Sequence, residues 1–142
     1  MEFEPAALEA ESIPAPAPGE TVLVVEDDAL VRRMMVRALE DAGYRVREAG
    51  NGQAAVALLR RTDDHVSAVV TDLAMPEMGG HELAAWLGEQ HPGVAVVFTS
   101  GYLDDEVVRR GLLEAGRPFL QKPFAPEALV RAVAEAMAGS RV

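Results

Sequence analysis

From Thr21 onward, short apolar runs alternate with stretches of helical period. The runs are Thr21 to Val25 (TVLVV), Tyr44 to Ala49 (YRVREA), Val66 to Thr71 (VSAVVT), Val94 to Thr99 (VAVVFT) and Pro118 to Gln121 (PFLQ). Four of them are nearly continuous in apolar residues, the pattern of parallel strands covered on both faces. The second is more polar and belongs nearer a sheet edge. Between the first two runs, Val31, Met34, Met35, Ala38 and Ala42 recur at helical spacing, with Asp28 placed to cap the start and Gly43 the end. Segments 52–61, 80–90, 104–115 and 126–138 share that period, and Pro126 suits a first helical turn. The pattern predicts (βα)5, an α/β fold. Five units are too few to close a (βα)8 barrel, so the expected architecture is a doubly wound five-stranded parallel sheet with helices on both faces. Such sheets bind ligands beyond the carboxyl ends of their strands, where strand order reverses.

Composition narrows the function. The 142 residues hold 13 Lys+Arg against 23 Asp+Glu, and no Cys. A chain of this size makes one domain with one core. Its net charge of −10 argues against a nucleic-acid partner, because neutralising phosphates needs a surplus of basic residues. Without Cys there is no disulfide, thiol nucleophile or thiolate zinc site, and His65, His81 and His91 are too scattered to suggest a metal cluster. These histidines read as surface residues, and Trp86 and the six Met as core filling. The longest uncharged stretch, Gln90 to Leu103, falls short of the roughly 18 residues that cross a bilayer. The start, Met-Glu-Phe-Glu-Pro, lacks the basic region of a signal peptide. The expectation is a soluble cytoplasmic protein with no membrane contact of its own.

Much of the acidity is local. Residues 1–20 carry Glu2, Glu4, Glu9, Glu11 and Glu20, no basic residue, and four prolines among alanines. Such a segment buries too little apolar surface to offset its ordering entropy, and is expected to be a disordered or polyproline-like tail or linker. Residues 21–142, the expected domain, then hold 13 basic against 18 acidic residues, an ordinary balance.

The strand ends carry the chemistry. Glu26 and Asp27 follow the first run, Asp72 the third, Ser100 the fourth and Lys122 the fifth. Each alone has a bland explanation: a capping or turn aspartate, an acidic helix start, a turn serine before Gly101. Their co-occurrence is the specific signal. Three carboxylates forced together resist joint ionisation unless a cation lies among them. Oxygen-only donors favour Mg²⁺ or Mn²⁺ over zinc. A fixed cation, Lys122, and a hydroxyl, Ser100, are suitable groups to surround a phosphoryl group. Lys122 is the only lysine among 13 basic residues, and a compact ammonium can serve a carboxylate and a phosphoryl oxygen as a point charge.

Residues 21–138 resemble a response-regulator receiver domain of two-component signalling, like the chemotaxis regulators. The resemblance runs through Glu26-Asp27-Asp28, Thr71-Asp72-Leu73-Ala74-Met75-Pro76-Glu77-Met78-Gly79-Gly80, Ser100-Gly101-Tyr102 and Lys122-Pro123-Phe124. It implies the flavodoxin-like strand order 2-1-3-4-5. It also implies that Asp72 accepts a phosphoryl group from a phosphohistidine on a histidine kinase or histidine phosphotransfer protein. Asp27, Asp72 and the main-chain oxygen of Ala74 would bind Mg²⁺, with Glu26 acting directly or through water. Lys122 would pair with Asp72 and then with the phosphoryl oxygens, onto which Ser100 would close. The added charge would shift the domain between two conformations, changing its interaction surface. By the same resemblance the Lys122–Pro123 peptide is cis. The kinase-docking face involves Asp28 to Ala42 and the loop after Lys122.

Several positions depart from the commonest family pattern. Glu26 stands where Asp is frequent, and Ser100 where Thr is. Phe119 holds the position of the aromatic switch, often Tyr, and cannot supply a hydroxyl, so ordinary core is an equal reading of it. Ala74 and Tyr102 provide no amide or carboxylate to orient a hydrolytic water, which implies slow dephosphorylation. Gly111 weakens the helix expected at 104–115. In the family that helix, the fifth strand and the last helix form the read-out face, through which a homodimer is open. The module is expected to be a signal transducer rather than an enzyme, although one that catalyses its own phosphorylation and slow dephosphorylation. A pseudo-receiver acting only by protein contact is the alternative, and an Asp-nucleophile phosphatase or hydrolase a weaker one, since no Asp-x-Asp pair follows the first strand. A nucleotide binder lacks a Gly-rich loop after Val25. No output domain is expected after the last helix, and a stand-alone regulator and the receiver of a hybrid sensor kinase are both open readings.

Overall fold

The first strand, β1 (Thr21–Val25), is buried at every position, as a continuous apolar run requires: it needs a layer on each side. The computed structural model describes residues 19–61, 65–101, 111, 116 and 118–140. After β1 come α1 (Ala29–Asp41), β2 (Arg45–Ala49), α2 (Gly52–Arg61), β3 (Val66–Asp72), α3 (Gly80–Gln90), β4 (Ala95–Ser100), β5 (Phe119–Gln121) and α4 (Pro126–Ser140). The strands form one parallel sheet in the order β2-β1-β3-β4-β5. The polar β2 is an edge, where its charged residues meet solvent.

Period-2 alternation splits the core into two layers. Val22 and Val24 of β1 point to one face and pack with Met35 and Leu39 of α1 and Leu129, Val133 and Met137 of α4. Leu23 and Val25 point to the other, against Ala55 and Leu59 of α2 and Leu83 and Leu87 of α3. Each layer buries several Leu and Val side chains, about 1.5 to 3 kcal/mol apiece relative to exposure. Reversal of strand order at β1 opens the crevice between β1 and β3, and the register pairs Val25 with both Ala49 and Thr71, so the strand ends lie level.

The capping signals act as their chemistry dictates. Asp28 accepts from the Leu30 and Val31 amides at 2.9 and 3.1 Å, satisfying two orphan donors of α1. Gly43, at φ 103°, follows the C-cap Ala42. There the Gly43 amide donates to the Glu40 carbonyl and the Tyr44 amide to the Leu39 carbonyl, the paired closure that needs a left-handed residue.

Several boundaries differ from expectation by a residue or two, the usual scatter of element ends. Asp72 and Ser100 are the last residues of β3 and β4 rather than the first beyond them, and α4 runs two residues further than the pattern. Met34 is a correction of substance. Its spacing put it on the packed face of α1, yet it is 62% exposed and the neighbouring Leu30 71%. Met35 and Leu39 already fill the stripe facing the sheet, so Met34 turns outward. Of the helix expected at 104–115 only Gly111 is described, and Tyr102 and residues 1–18 of the tail expected at 1–20 lie outside the described residues. No helix among the described residues is long and apolar enough to cross a membrane.

Candidate functional site

The site is built where β1 and β3 end side by side. Glu26 continues β1 for one residue, its amide donating to the Ala49 carbonyl at 3.1 Å, and its side chain is 1% exposed. One carboxylate oxygen, Oε2, accepts from the Asp28 amide at 3.0 Å. The other, Oε1, accepts from Lys122 Nζ at 2.5 Å. The same ammonium donates to Asp72 Oδ2 at 3.1 Å, so one cation bridges two strand-end carboxylates. Asp27 is exposed on the rim, and one carboxylate oxygen each from Glu26, Asp27 and Asp72 lie within 4.8 Å of one another.

Electrostatics follow from burial. Desolvation raises the Glu26 carboxyl above its ordinary value, with the Asp72 charge adding to it, although the bonds from Lys122 and the Asp28 amide pull the other way. For Lys122 burial disfavours the charged form, but the bonds and charges of Glu26 and Asp72 outweigh it and hold the ammonium above the usual lysine value. Lys122 is therefore a fixed positive charge at neutral pH.

The other expected residues border this cluster. Ser100 is fully buried, its hydroxyl donating to the Gly101 carbonyl at 3.0 Å. Its own carbonyl accepts from the Lys122 amide at 2.8 Å, which ties β4 to the lysine. Ala74 is exposed two residues after Asp72, Phe119 opens β5 half-buried beside Phe98, and the Lys122–Pro123 peptide is cis.

Three features escaped the sequence pattern. Lys122 was matched to Asp72 alone, whereas Glu26 is the nearer partner. Gly80 faces the backbone of Asp72 so closely that a Cβ there would lie 2.3 Å from the Asp72 carbonyl oxygen, and Gly79 approaches Leu73 in the same way. The adjacent glycines at a helix start were the available signal. The third is Arg32, on α1, whose Nη1 donates to the Glu26 carbonyl at 2.7 Å and Nε to Glu48 at 3.0 Å. A basic residue in a helix gives no such signal.

An open parallel sheet of order 2-1-3-4-5 with an acidic cluster and a lysine at its carboxyl end is the arrangement expected of a receiver domain. The chain belongs to the response regulator receiver domain family, whose pattern matches residues 22–134. It is 41% identical over 115 residues to the sensor kinase CckA of Brucella abortus, a stretch covering 81% of this chain and 12% of CckA. It is also 41% identical over 81 residues to the response regulator receiver protein CpdR of the same organism, covering 57% of this chain and 66% of CpdR. The chain thus spans a small part of one relative and about two-thirds of the other. Among solved structures, the chemotaxis protein CheY4 of Vibrio cholerae aligns with a TM-score of 0.69 at 26% identity, covering 83% of this chain and 98% of CheY4. The receiver domain of the Francisella response regulator 1452 aligns at 0.72 and 25%, covering 86% and 99%. The chain is therefore a receiver of two-component signal transduction, of a family that works with histidine kinases and phosphotransfer proteins.

Proposed function

We propose that this domain accepts a phosphoryl group on Asp72 from a phosphohistidine, in a reaction that depends on Mg²⁺. The observation that carries this is Lys122, held between Asp72 and the buried Glu26 with Asp27 at the rim. The donor set fits a hard divalent ion: three carboxylates whose oxygens lie within 4.8 Å of one another, with no nitrogen or sulfur atom in the set. Asp27 and Asp72, with the Ala74 main-chain oxygen, would hold the ion, and Glu26 would act directly or through water. When bound, Mg²⁺ neutralises negative charge on the carboxylates and the incoming phosphoryl oxygens.

Asp72 supplies the nucleophile. A carboxylate oxygen bonds to phosphorus as the phosphorus–nitrogen bond of the donor breaks, and the electron pair stays with the imidazole, which takes a proton. Lys122 stabilises charge on the phosphoryl oxygens, exchanging part of its contact with Asp72 for them. Ser100 ends the adjacent β4, so a small shift of Gly101 would bring its hydroxyl to the group. The added charge of about −1.5 to −2 then favours a second arrangement of the strand ends, with Phe119 moving inward. Neither Ala74 nor Tyr102 activates a water, so the phosphoryl group is long-lived. Leu30 and Met34, exposed on α1 beside the apolar cleft of Val31, Ala38, Pro123 and Phe124, form the surface for the donor protein.

Intact-mass measurement after incubation with Mg²⁺ and acetyl phosphate tests the chemistry. The expected gain is one phosphoryl group, about 80 Da. It should vanish in Asp72→Asn and without divalent metal. Metal binding with no adduct would refute phosphoryl acceptance and leave a fixed metal site whose surface alone makes contacts.

A further inference from the structure

We infer that Arg32 is a positioning residue for the acidic site, acting through the peptide between Glu26 and Asp27. The inference rests on the proposed metal-dependent function. Its ground is how little else places Asp27. That side chain is exposed, so no core packing orients it, and its position depends on the backbone on either side. On the far side, Asp28 is pinned twice: its amide donates to Glu26 Oε2 at 3.0 Å and its carboxylate caps α1. On the near side, the peptide oxygen of Glu26 accepts from Arg32 Nη1 at 2.7 Å.

That bond is not a lone surface contact. The same guanidinium donates through Nε to Glu48 at 3.0 Å, and Glu48 lies on β2, one residue before Ala49, whose carbonyl accepts the Glu26 amide. Both ends of the Glu26 backbone are thus tied to the end of β2, one directly and one through Arg32. The guanidinium lies over Gly50, where an added Cβ would sit 3.5 Å from Nη1. The Arg32 side chain is 21% exposed, which limits competition from water. A planar guanidinium can bond two acceptors at once from a fixed fork, whereas a lysine ammonium on a flexible stem cannot reproduce that geometry.

Charge and geometry make opposite forecasts, which separates them. By charge alone, removing a cation from beside an acidic cluster should tighten divalent-metal binding. If Arg32 instead holds the peptide that sets Asp27, its loss should weaken binding, as loss of an outer partner weakens metal sites by about 10- to 100-fold.

Mn²⁺ binding, followed by electron paramagnetic resonance on the unphosphorylated protein without phosphodonor, is the test. Far-UV circular dichroism would show each variant folded at the measuring temperature. Arg32→Lys and Arg32→Gln are both expected to weaken Mn²⁺ binding by about tenfold, the lower end of that range. Glu48→Gln, whose amide oxygen still accepts from Nε, is expected to bind more tightly than Glu48→Ala. Saturating Mg²⁺ should restore the acetyl phosphate reaction of the Arg32 variants, since Asp72 is untouched. Unchanged or tighter Mn²⁺ binding in Arg32→Gln would overturn the inference, as would wild-type affinity in Arg32→Lys. If the wild-type protein itself binds no Mn²⁺, the metal-site reading fails and the inference falls with it.

Discussion

Gly80→Ala is the most direct probe of how the fold positions Asp72, the proposed phosphoacceptor. The added Cβ would lie 2.3 Å from the Asp72 carbonyl oxygen, 3.0 Å from its carbon and 3.2 Å from Leu73 Cα. Reaching even the 3.0 Å floor for a Cβ contact requires a separation of 0.7 Å, and every atom in the way is backbone. Neither side yields easily: Asp72 pairs with Thr99 in the sheet, and the Gly80 amide donates to the Leu73 carbonyl at 3.0 Å. Overpacking of this kind costs about 1 to 3 kcal/mol, set against up to about 1 kcal/mol regained from the better helix former. The expected net loss is about 1 to 2 kcal/mol, a fall in Tm of roughly 3 to 10 °C for a domain of this size. Because the displaced backbone carries Asp72, the proposed nucleophile, phosphorylation by acetyl phosphate should fall by up to about 100-fold. Gly88→Ala in the same helix is the control. Nothing lies within 4 Å of its Cβ, so that variant should gain about 0.5 to 1 kcal/mol and react normally. Urea unfolding and intact-mass kinetics on both variants read the two effects. Wild-type stability and rate in Gly80→Ala would refute the close approach as the cause of Asp72's position.

Other outcomes follow from single residues. Glu77 adopts φ 69° without being glycine, so Glu77→Asn should gain up to about 1 kcal/mol in urea unfolding, and a loss would show that the Glu side chain earns its place there. Met34→Glu changes an exposed residue and should shift stability by less than about 0.5 kcal/mol. It should leave the acetyl phosphate reaction intact while slowing transfer from a cognate phosphohistidine protein; equal slowing of both would place Met34 in the chemistry instead. Lys122→Met strands the buried Glu26 beside Asp72, at a cost of about 3 kcal/mol at neutral pH. The Glu26 carboxyl is already raised, and a raised carboxyl favours the fold below its ordinary value and loses that contribution as pH climbs through its folded pKa. The deficit should therefore shrink at pH 5 relative to pH 8, and equal deficits at both would refute the charge argument. Lys122→Arg keeps the charge and should recover much of that stability, yet a planar fork cannot replace an ammonium shared between Glu26 and Asp72, so phosphorylation should stay low; a wild-type rate would show that charge suffices.

The fold was legible because its signals are local and repeated. Five apolar runs of strand length, each separated by helical period, leave little choice beyond a parallel sheet, and the charges of β2 marked it as an edge. The caps at Asp28 and Gly43 needed only their own chemistry. Strand order was less accessible, since nothing in a run of valines says which neighbour it pairs with; it entered through family resemblance. The site divided in the same way. Glu26, Asp27, Asp72, Ser100 and Lys122 announced themselves as polar residues at the ends of apolar runs. What they touch did not, because contacts such as Glu26 with Lys122 join residues 96 positions apart. Arg32 was invisible for a different reason: six of the chain's arginines precede residue 61, and spacing does not reveal which one bonds a carbonyl. Met34 was misplaced because periodicity locates a stripe, not its width.

Several departures from ordinary folding rules lie at the carboxyl end of the sheet. Glu26 is a carboxylate buried to 1% exposure, Glu77 holds a backbone conformation that L residues avoid, and Gly80 lets a helix start press on a strand. Each costs stability that an apolar residue, a relaxed turn or an alanine with more space would retain. Deeper in the same strands, Val22, Leu23, Ala68 and Val69 are fully buried apolar residues with no such conflict. A sequence under selection for stability alone has no reason to gather its violations around one carboxylate. The closeness of Glu26 and Gly80 to Asp72 therefore supports a functional reading beside family membership, and Lys122, bonded to both carboxylates, offsets part of the cost of the acidic cluster.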